Sequence, residues 1–215
     1  MNIPPDGASE SSHLARPEKS AIRELPPFEG LTRKEIVLLR NIDQVRAAAD
    51  VLAGVEYVGF DTETKPVFLA NQPKVGPHLL QIATTRCAFL CRPDFGPAVD
   101  LFRGVLTAAS IAKAGFGLMS DHGPVERLLG ARMRGTVELS QLVKQLGYAQ
   151  MVGLQLGVAI VLGRYFRKSK RITTSNWGAA SLSDAQLLYA ANDAYASLMV
   201  YEGLRARLGG ESDAG

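Results

Sequence analysis

The chain has 215 residues and a formal net charge of +3, and 47% of its residues are hydrophobic and 21% charged. These values are typical of one globular domain with a sizeable core, and the mild positive charge permits a polyanionic partner without demanding one. Two cysteines, Cys87 and Cys91, are too few for a disulfide framework, so we expect reduced thiols and a cytoplasmic protein. No apolar run is long enough to cross a bilayer, and no membrane partner is expected.

Composition divides the chain into three parts. Residues 1–27 combine several prolines with serine and glutamate, which predicts a flexible N-terminal arm. Residues 28–208 are expected to form the folded domain, and residues 209–215 a flexible C-terminal tail.

The predicted elements alternate between strands and helices along the folded part. The first half is expected to contain a strand at 36–39, a helix at 42–53, strands at 55–64, 78–83 and 87–91, and a helix at 97–108. The second half is expected to contain a strand at 111–115, a helix at 120–129, an extended piece at 135–139, helices at 140–146 and 154–162, a basic loop at 164–178, and a long helix at 183–208. Closely joined strands favour an antiparallel meander, and strand 111–115 is expected to join it in parallel through a crossover. The predicted fold class is therefore α/β, with a mixed central sheet flanked by helices.

Two carboxylates stand at the end of the second predicted strand. Side chains alternate along a strand, so Asp61 and Glu63 point to one face, within about 7 Å of each other. Carboxylates this close repel each other unless a positive group lies between them, and a hard divalent cation with oxygen ligands meets that need. The alternative is a pair of solvated acids at a strand end.

Two further acids occupy unusual positions. Asp193 lies on a helix that is apolar on most sides, so its carboxylate requires a basic partner or a metal. Asp121 follows the strand that ends at Gly115 and falls in the first turn of a helix, where the helix dipole alone also favours an acid. Four converging carboxylates can bind two divalent cations that act on a phosphoryl group, and Tyr189, one turn before Asp193, can orient a water.

Three ordered motifs resemble those of the DEDDy 3′–5′ exonucleases, the branch of the DnaQ-like superfamily that includes RNase D. The first motif is 60–64, the second runs from Lys113 to Asp121, and the third, 189–195, has the Tyr-x-x-x-Asp spacing that names the branch. The segments 168–171 and 175–177 are similar to the exonuclease domain of the Werner-syndrome helicase. The resemblance covers about residues 35–208.

The resemblance implies an RNase H-like fold and removal of nucleoside monophosphates from a 3′ end with two divalent cations, Mg²⁺ or Mn²⁺. It implies that Asp61 contacts both cations, that Glu63 and Asp193 complete the first site, and that Asp121 binds the second cation. Tyr189 would hold the attacking water in line.

Basic and aromatic residues supply candidate contacts to a nucleic acid, whether DNA or RNA. The basic residues at 164–171 can neutralise phosphates. An aromatic ring (Phe116, Phe68 or Trp177) can stack on a terminal base. A solvated basic loop and a tryptophan that fills the core are the alternatives. Glu138 is expected to support the site indirectly or to lie on the surface. The candidate nucleic-acid contacts are Thr62, Phe116, Lys168, Lys170, Arg171 and Trp177.

A two-metal 3′–5′ exonuclease is the leading prediction. Two other function classes remain open. A catalytically silent nucleic-acid-binding module on the same fold is the second, and a scaffold protein with structural acids is the third. The sequence leaves an oligomer possible.

Overall fold

A computed structural model describes residues 13–67 and 75–209 of the protein. Six strands form one mixed sheet in the order β1–β4–β3–β2–β5–β6. The strands are β1 (Ile36–Leu38), β2 (Tyr57–Glu63), β3 (Leu79–Ala83), β4 (Ala88–Cys91), β5 (Ala112–Gly115) and β6 (Thr136–Glu138). The helices are α1 (Lys19–Arg23), α2 (Ile42–Leu52), α3 (Gly96–Thr107), α4 (Leu118–Leu129), α5 (Leu139–Gln145), α6 (Leu154–Leu162), α7 (Lys170–Thr173) and α8 (Asp184–Gly209).

The predicted meander and the crossover are both present. Strand β3 pairs antiparallel with β2 and with β4, while β5 pairs parallel with β2. Strands β1 and β6 add in parallel at the two edges. The predicted basic loop contains the short helix α7, and every other predicted element occurs within a few residues of its expected bounds.

Helix α8 lies against the sheet at β2. A side chain at Gly59 would overlap the carbonyl oxygen of Ala194, so only glycine permits this approach of strand and helix. Ala190, Ala191 and Ala194 are fully buried in the interface. The helix begins as predicted, with Ser183 and Gln186 exchanging backbone and side-chain hydrogen bonds in a capping box. Because the alanines are small, Asp193 is carried close to the end of β2.

The two faces of the sheet bury separate cores. Helices α2, α3 and α4 cover one face, where Phe60, Ile82 and Phe102 pack together. Helix α8 covers the other face together with α5 and α6, which pack on β5 through residues such as Val143 and Val158. Since alternate residues of β2 point to opposite faces, Phe60 enters the first core and Asp61 faces α8.

The described part of the predicted N-terminal arm, residues 13–27, contains α1 and contacts the domain. The Leu14 N–H donates to the carbonyl of Gly147 at 2.9 Å, and the Tyr165 N–H donates to the carbonyl of Pro26 at 2.8 Å. Residues 1–12 and 210–215 lie outside the described residues. The domain boundaries at 27 and 208 stay predictions.

Within the two described ranges, no helix is both long enough and apolar enough to cross a bilayer.

Candidate active site

Three of the four predicted metal-binding carboxylates lie together at the contact between β2 and α8. Asp61, Glu63 and Asp193 each offer an oxygen, and these oxygens lie within 4.8 Å of one another. Asp193 is only 2% exposed and Glu63 only 8%. Such a set of hard oxygen donors fits a divalent cation of the Mg²⁺, Mn²⁺ or Ca²⁺ type.

Burial and mutual repulsion disfavour the charged forms of these acids. Burial, followed by the charges of Asp61 and Asp193, raises the pKa of Glu63 to about 9. Burial and the Asp193 charge also raise the pKa of Asp61. The pKa of Asp193 is raised by burial, against the opposing effect of Lys168. The cluster therefore favours protons or a bound cation over three free negative charges.

Lys168 supplies one positive charge to the cluster. Its Nζ lies 2.7 Å from Asp193 Oδ2, and its side chain remains 32% exposed. Burial acts to lower the pKa of Lys168, but the charge of Asp193, the hydrogen bond to it and the charge of Asp61 together raise it. The other Asp193 oxygen, Oδ1, is buried without a hydrogen-bond partner among the described residues. One ammonium thus satisfies half of this carboxylate, and the unpartnered oxygen fits a metal ligand.

Asp121 lies beside the cluster but is not part of it. Its Oδ1 accepts a hydrogen bond from the Thr62 hydroxyl at 2.7 Å, while the Thr62 N–H donates to Asp61 Oδ1 at 2.9 Å. Burial raises the pKa of Asp121, and the Thr62 hydrogen bond opposes that change. Thr62, predicted as a nucleic-acid contact, therefore connects Asp121 to Asp61 by two hydrogen bonds.

Glu138 fixes the start of the helix that carries Asp121. Its two carboxylate oxygens accept from the N–H groups of Gly117 at 3.1 Å and Leu118 at 2.9 Å. These are donors at the N-terminus of α4 that have no partner within the helix. Gly117 adopts a left-handed conformation, with φ of 75°, which lets the chain turn from β5 into α4. Of the two alternatives for Glu138, these hydrogen bonds favour indirect support of the site over a free position on the surface.

Tyr189 lies one turn before Asp193 on α8. Its hydroxyl is 2.8 Å from the Thr173 hydroxyl of α7, and Lys168 Nζ lies 5.7 Å from its ring centroid. Burial and the Asp193 charge raise the pKa of Tyr189 to about 12, so the phenol keeps its proton at neutral pH. A phenol can donate and accept at once, which suits it to hold a water.

A cavity of about 580 Å³ opens next to Asp61. Phe116 and Lys168 line it, and their contact with a nucleic acid stays a prediction. Gly157 makes room for the Phe116 ring, because a Cβ at that position would overlap the ring edge. Lys170 and Arg171 are exposed on α7 but do not line this cavity.

The position of Trp177 does not fit its predicted role in base stacking. The indole is fully buried, its N–H donates to the Thr173 carbonyl at 3.2 Å, and its ring packs near Tyr189. A fully buried indole offers no face to a base, so the alternative of core packing describes Trp177. Phe68 lies outside the described residues.

Gln81 is a residue of the site that the sequence pattern does not indicate. It pairs with Asp61 across β2 and β3, and directly opposed residues in a sheet share a face. Its amide is fully buried, and neither the oxygen nor the nitrogen has a partner among the described residues. A polar residue within the apolar stretch Leu79–Ala83 is the local signal that could have drawn attention to Gln81, but by itself it indicates no role.

Comparisons with known proteins agree with this geometry. Residues 36–209 match the family model described as 3′–5′ exonuclease. Mouse WRN, a bifunctional 3′–5′ exonuclease and ATP-dependent helicase, is 31% identical over 155 residues, which cover 71% of this chain and 11% of that protein. The human exonuclease mut-7 homolog is 30% identical over 203 residues, covering 81% of this chain and 23% of that protein. The chain thus spans less than a quarter of the length of either relative.

A solved structure shows the same fold. The EXO domain of Nibbler from Aedes aegypti has a TM-score of 0.70 with 19% sequence identity, over 85% of this chain and 94% of that domain. The chain has the RNase H-like fold predicted for it. It belongs to the family of 3′–5′ exonuclease domains, and the 31% identity to WRN confirms the predicted likeness to the Werner-syndrome exonuclease.

The raised pKa values predict how pH acts on the metal-free protein. A carboxyl whose pKa is raised on folding holds its proton in the folded state, so its stabilising contribution is lost as pH rises. For Glu63 this loss extends from its ordinary pKa of 4.5 up to about 9. We expect the free energy of unfolding in EDTA to fall over this range, by up to about 1.4 kcal/mol per pH unit for each proton involved. Urea unfolding in EDTA at a series of pH values measures this change in the free energy of unfolding.

Added Mn²⁺ provides the matching comparison. Since a cation binds the deprotonated acids, the rise in melting temperature caused by Mn²⁺ should grow as pH increases across the same range. A Glu63→Gln variant should show a flatter pH dependence in EDTA. A metal-free stability that increases between neutral pH and pH 9 would contradict the burial of protonated acids.

The unpartnered amide of Gln81 predicts an unusual mutant. Replacing Gln81 by Leu keeps a similar volume and removes a buried polar group, so the metal-free protein should gain about 1 kcal/mol in free energy of unfolding. Gln186→Leu is the control, because that amide belongs to the capping box of α8 and its loss should destabilise by about 1 kcal/mol. Equal destabilisation of both variants in urea would show that Gln81 has a partner.

Proposed function

We propose that this chain is a DEDDy 3′–5′ exonuclease, which hydrolyses the terminal phosphodiester bond of a nucleic acid and releases nucleoside 5′-monophosphates. The observation that carries the proposal is the convergence of Asp61, Glu63 and Asp193 within 4.8 Å at the edge of an open cavity. Family membership supports it. DNA and RNA both remain candidate substrates.

Carboxylates of β2, α8 and α4 would hold two divalent cations, Mg²⁺ or Mn²⁺. Asp61, Glu63 and Asp193 form one oxygen donor set, and Asp121, connected to Asp61 through Thr62, supplies the fourth carboxylate. Bound cations of this kind stabilise negative charge on the attacking and leaving oxygens of a phosphoryl displacement.

The protein's own side chains position the water and the strand. The neutral Tyr189 phenol, one helical turn from Asp193, orients the attacking water. Lys168 neutralises Asp193 in the metal-free site. With a cation held by the carboxylates, the Lys168 ammonium would be available to a phosphate of the strand.

The cavity beside Asp61 accommodates the 3′-terminal nucleotide. Phe116 offers a ring to the terminal base, and Gly157 keeps the space that the ring occupies. Lys170 and Arg171 on α7 provide positive charge near the loop that carries Lys168.

The proposal also covers the bounds of the catalytic domain and the compartment in which it acts. Residues 28–208 form the catalytic unit. Both thiols, Cys87 and Cys91, are free, which supports a reducing cytoplasmic compartment.

Replacing Asp61 by Asn tests the catalytic role of the cluster. Asn keeps the shape but removes a charge, so cleavage should be lost while the fold is retained, since like-charge repulsion decreases. The assay uses 5′-labelled single strands of DNA and RNA with Mn²⁺ or Mg²⁺ and an EDTA control. The unmodified protein should give a ladder that shortens from the 3′ end only with metal. Turnover by Asp61→Asn would contradict the assignment, and binding without any cleavage by the unmodified protein would favour a silent binding module.

Replacing Tyr189 by Phe tests the placement of the water. Loss of the hydroxyl should lower kcat by about 10²-fold with little change in KM or in Mn²⁺ affinity, because the ring and the carboxylates remain. Tyr201→Phe on the same helix is the matched control, and single-turnover kinetics is the measurement. An unchanged kcat in Tyr189→Phe would remove this role.

A further inference from the structure

A second cavity, of about 390 Å³, lies beside the first and carries only positive charge among its ionisable lining groups, apart from one tyrosine. We name it the arm cleft, because residues of the N-terminal arm form one wall. The arm contributes three cationic side chains, Arg16, Lys19 and Arg23. Lys168 adds a fourth from the opposite wall. No Asp or Glu is among the lining residues, so a negatively charged occupant would not be repelled by a carboxylate of the lining.

The arm cleft adjoins the candidate active site at Lys168. Lys168 lines both cavities, and α6 places Leu154 in the first and Gln155 in the second. The Lys168 ammonium contacts Asp193 of the acidic cluster. Lys168 thus lies between the acidic cluster and the arm cleft.

Hydrogen bonds hold the arm in place along this path. Arg16 donates from Nη2 to the carbonyl of Met151, and the Leu14 N–H donates to the Gly147 carbonyl. At the other end of the arm, backbone hydrogen bonds connect Pro26 and Phe28 to Tyr165, which also lines the cleft. The cationic groups are thus attached to the body of the domain on both sides.

The arm cations are available to a ligand. All three side chains are exposed, and within residues 13–67 and 75–209 none of them forms an ion pair. Arg16 uses one guanidinium N–H on Met151 and keeps its others, which match the oxygens of a phosphate. Half-buried Tyr165 adds an aromatic surface beside these charges.

We propose that the arm cleft binds the phosphates of a single-stranded nucleic acid, immediately 5′ of the nucleotide whose bond is cut. The inference rests on the proposed function, because that function places the 3′ end at Asp61. Repeating charges on the ligand match the row of cations, and a positively charged groove beside an aromatic side chain is the way proteins bind single strands.

The test measures binding without cleavage. A labelled single strand of about ten nucleotides is titrated with the full chain in EDTA at several salt concentrations. In the triple variant Arg16→Gln, Lys19→Gln, Arg23→Gln, affinity should fall about tenfold or more at low salt. The slope of log K against log salt should become shallower by about 2, since each single-strand phosphate contact contributes about 0.7. The single variant Arg23→Gln should change the slope by about 0.7 and keeps the test decisive if the triple variant does not fold.

A matched triple variant separates the arm cleft from net charge. Arg86→Gln, Arg132→Gln, Arg134→Gln removes the same charge from loops at the far end of the sheet, where β3 ends and β6 begins. This control should keep the slope of the unmodified protein. Equal losses in both triple variants, or an unchanged slope in the arm variants, would overturn the inference.

Two further measurements assign the occupant and separate this inference from the proposed function. Duplex DNA or polyglutamate that competes as well as the single strand, and loses affinity equally in the arm variants, would overturn the single-strand assignment. Cleavage of the 5′-labelled single strand by the unmodified protein with Mn²⁺ tests the exonuclease proposal by itself. If that cleavage fails while the arm variants still change the salt slope in EDTA, the exonuclease proposal is wrong and a single-strand cleft remains.

Discussion

The close approach of α8 to β2 is the constraint on which the site depends. Gly59 lies directly beneath the Ala194 carbonyl, and small residues on α8 let the helix axis come near the sheet. This approach lets α8 pack closely on the sheet. It also places the Asp193 carboxylate next to those of Asp61 and Glu63. The fold therefore assembles like charges in a buried position, which costs free energy unless protons, an ammonium or a cation compensate.

Lys168 shows how the protein limits that cost without giving up the site. It neutralises one of the three carboxylates, yet it comes from a loop and stays partly exposed. An ammonium on a flexible stem can leave a carboxylate more readily than a rigidly held guanidinium can. The remaining oxygen of Asp193 and the amide of Gln81 stay without partners among the described residues. Stability is thus lower here than a fully paired core would allow, as is common where a site must accept a ligand.

The sequence indicated the elements with local signals and missed what depends on distant contacts. Strand alternation placed Asp61 and Glu63 on one face, and the Ser183 capping box marked the start of α8. Asp121 is connected to the acidic strand through the Thr62 hydroxyl, a contact that no spacing along the chain encodes. Trp177 occurs among basic residues, yet tertiary packing buries it completely. Gln81 was missed because an apolar stretch dominates its surroundings.

The N-terminal arm is an informative case of the same limit. Its composition predicts a flexible segment, and no residue of α1 is buried. Local composition does not show that backbone hydrogen bonds attach the arm beside the site. A polyanion approaching a cluster of carboxylates is repelled unless positive charge lies along its path. Arg16, Lys19 and Arg23 supply that charge from outside the core, where it costs no desolvation and leaves the acidic cluster free to bind cations.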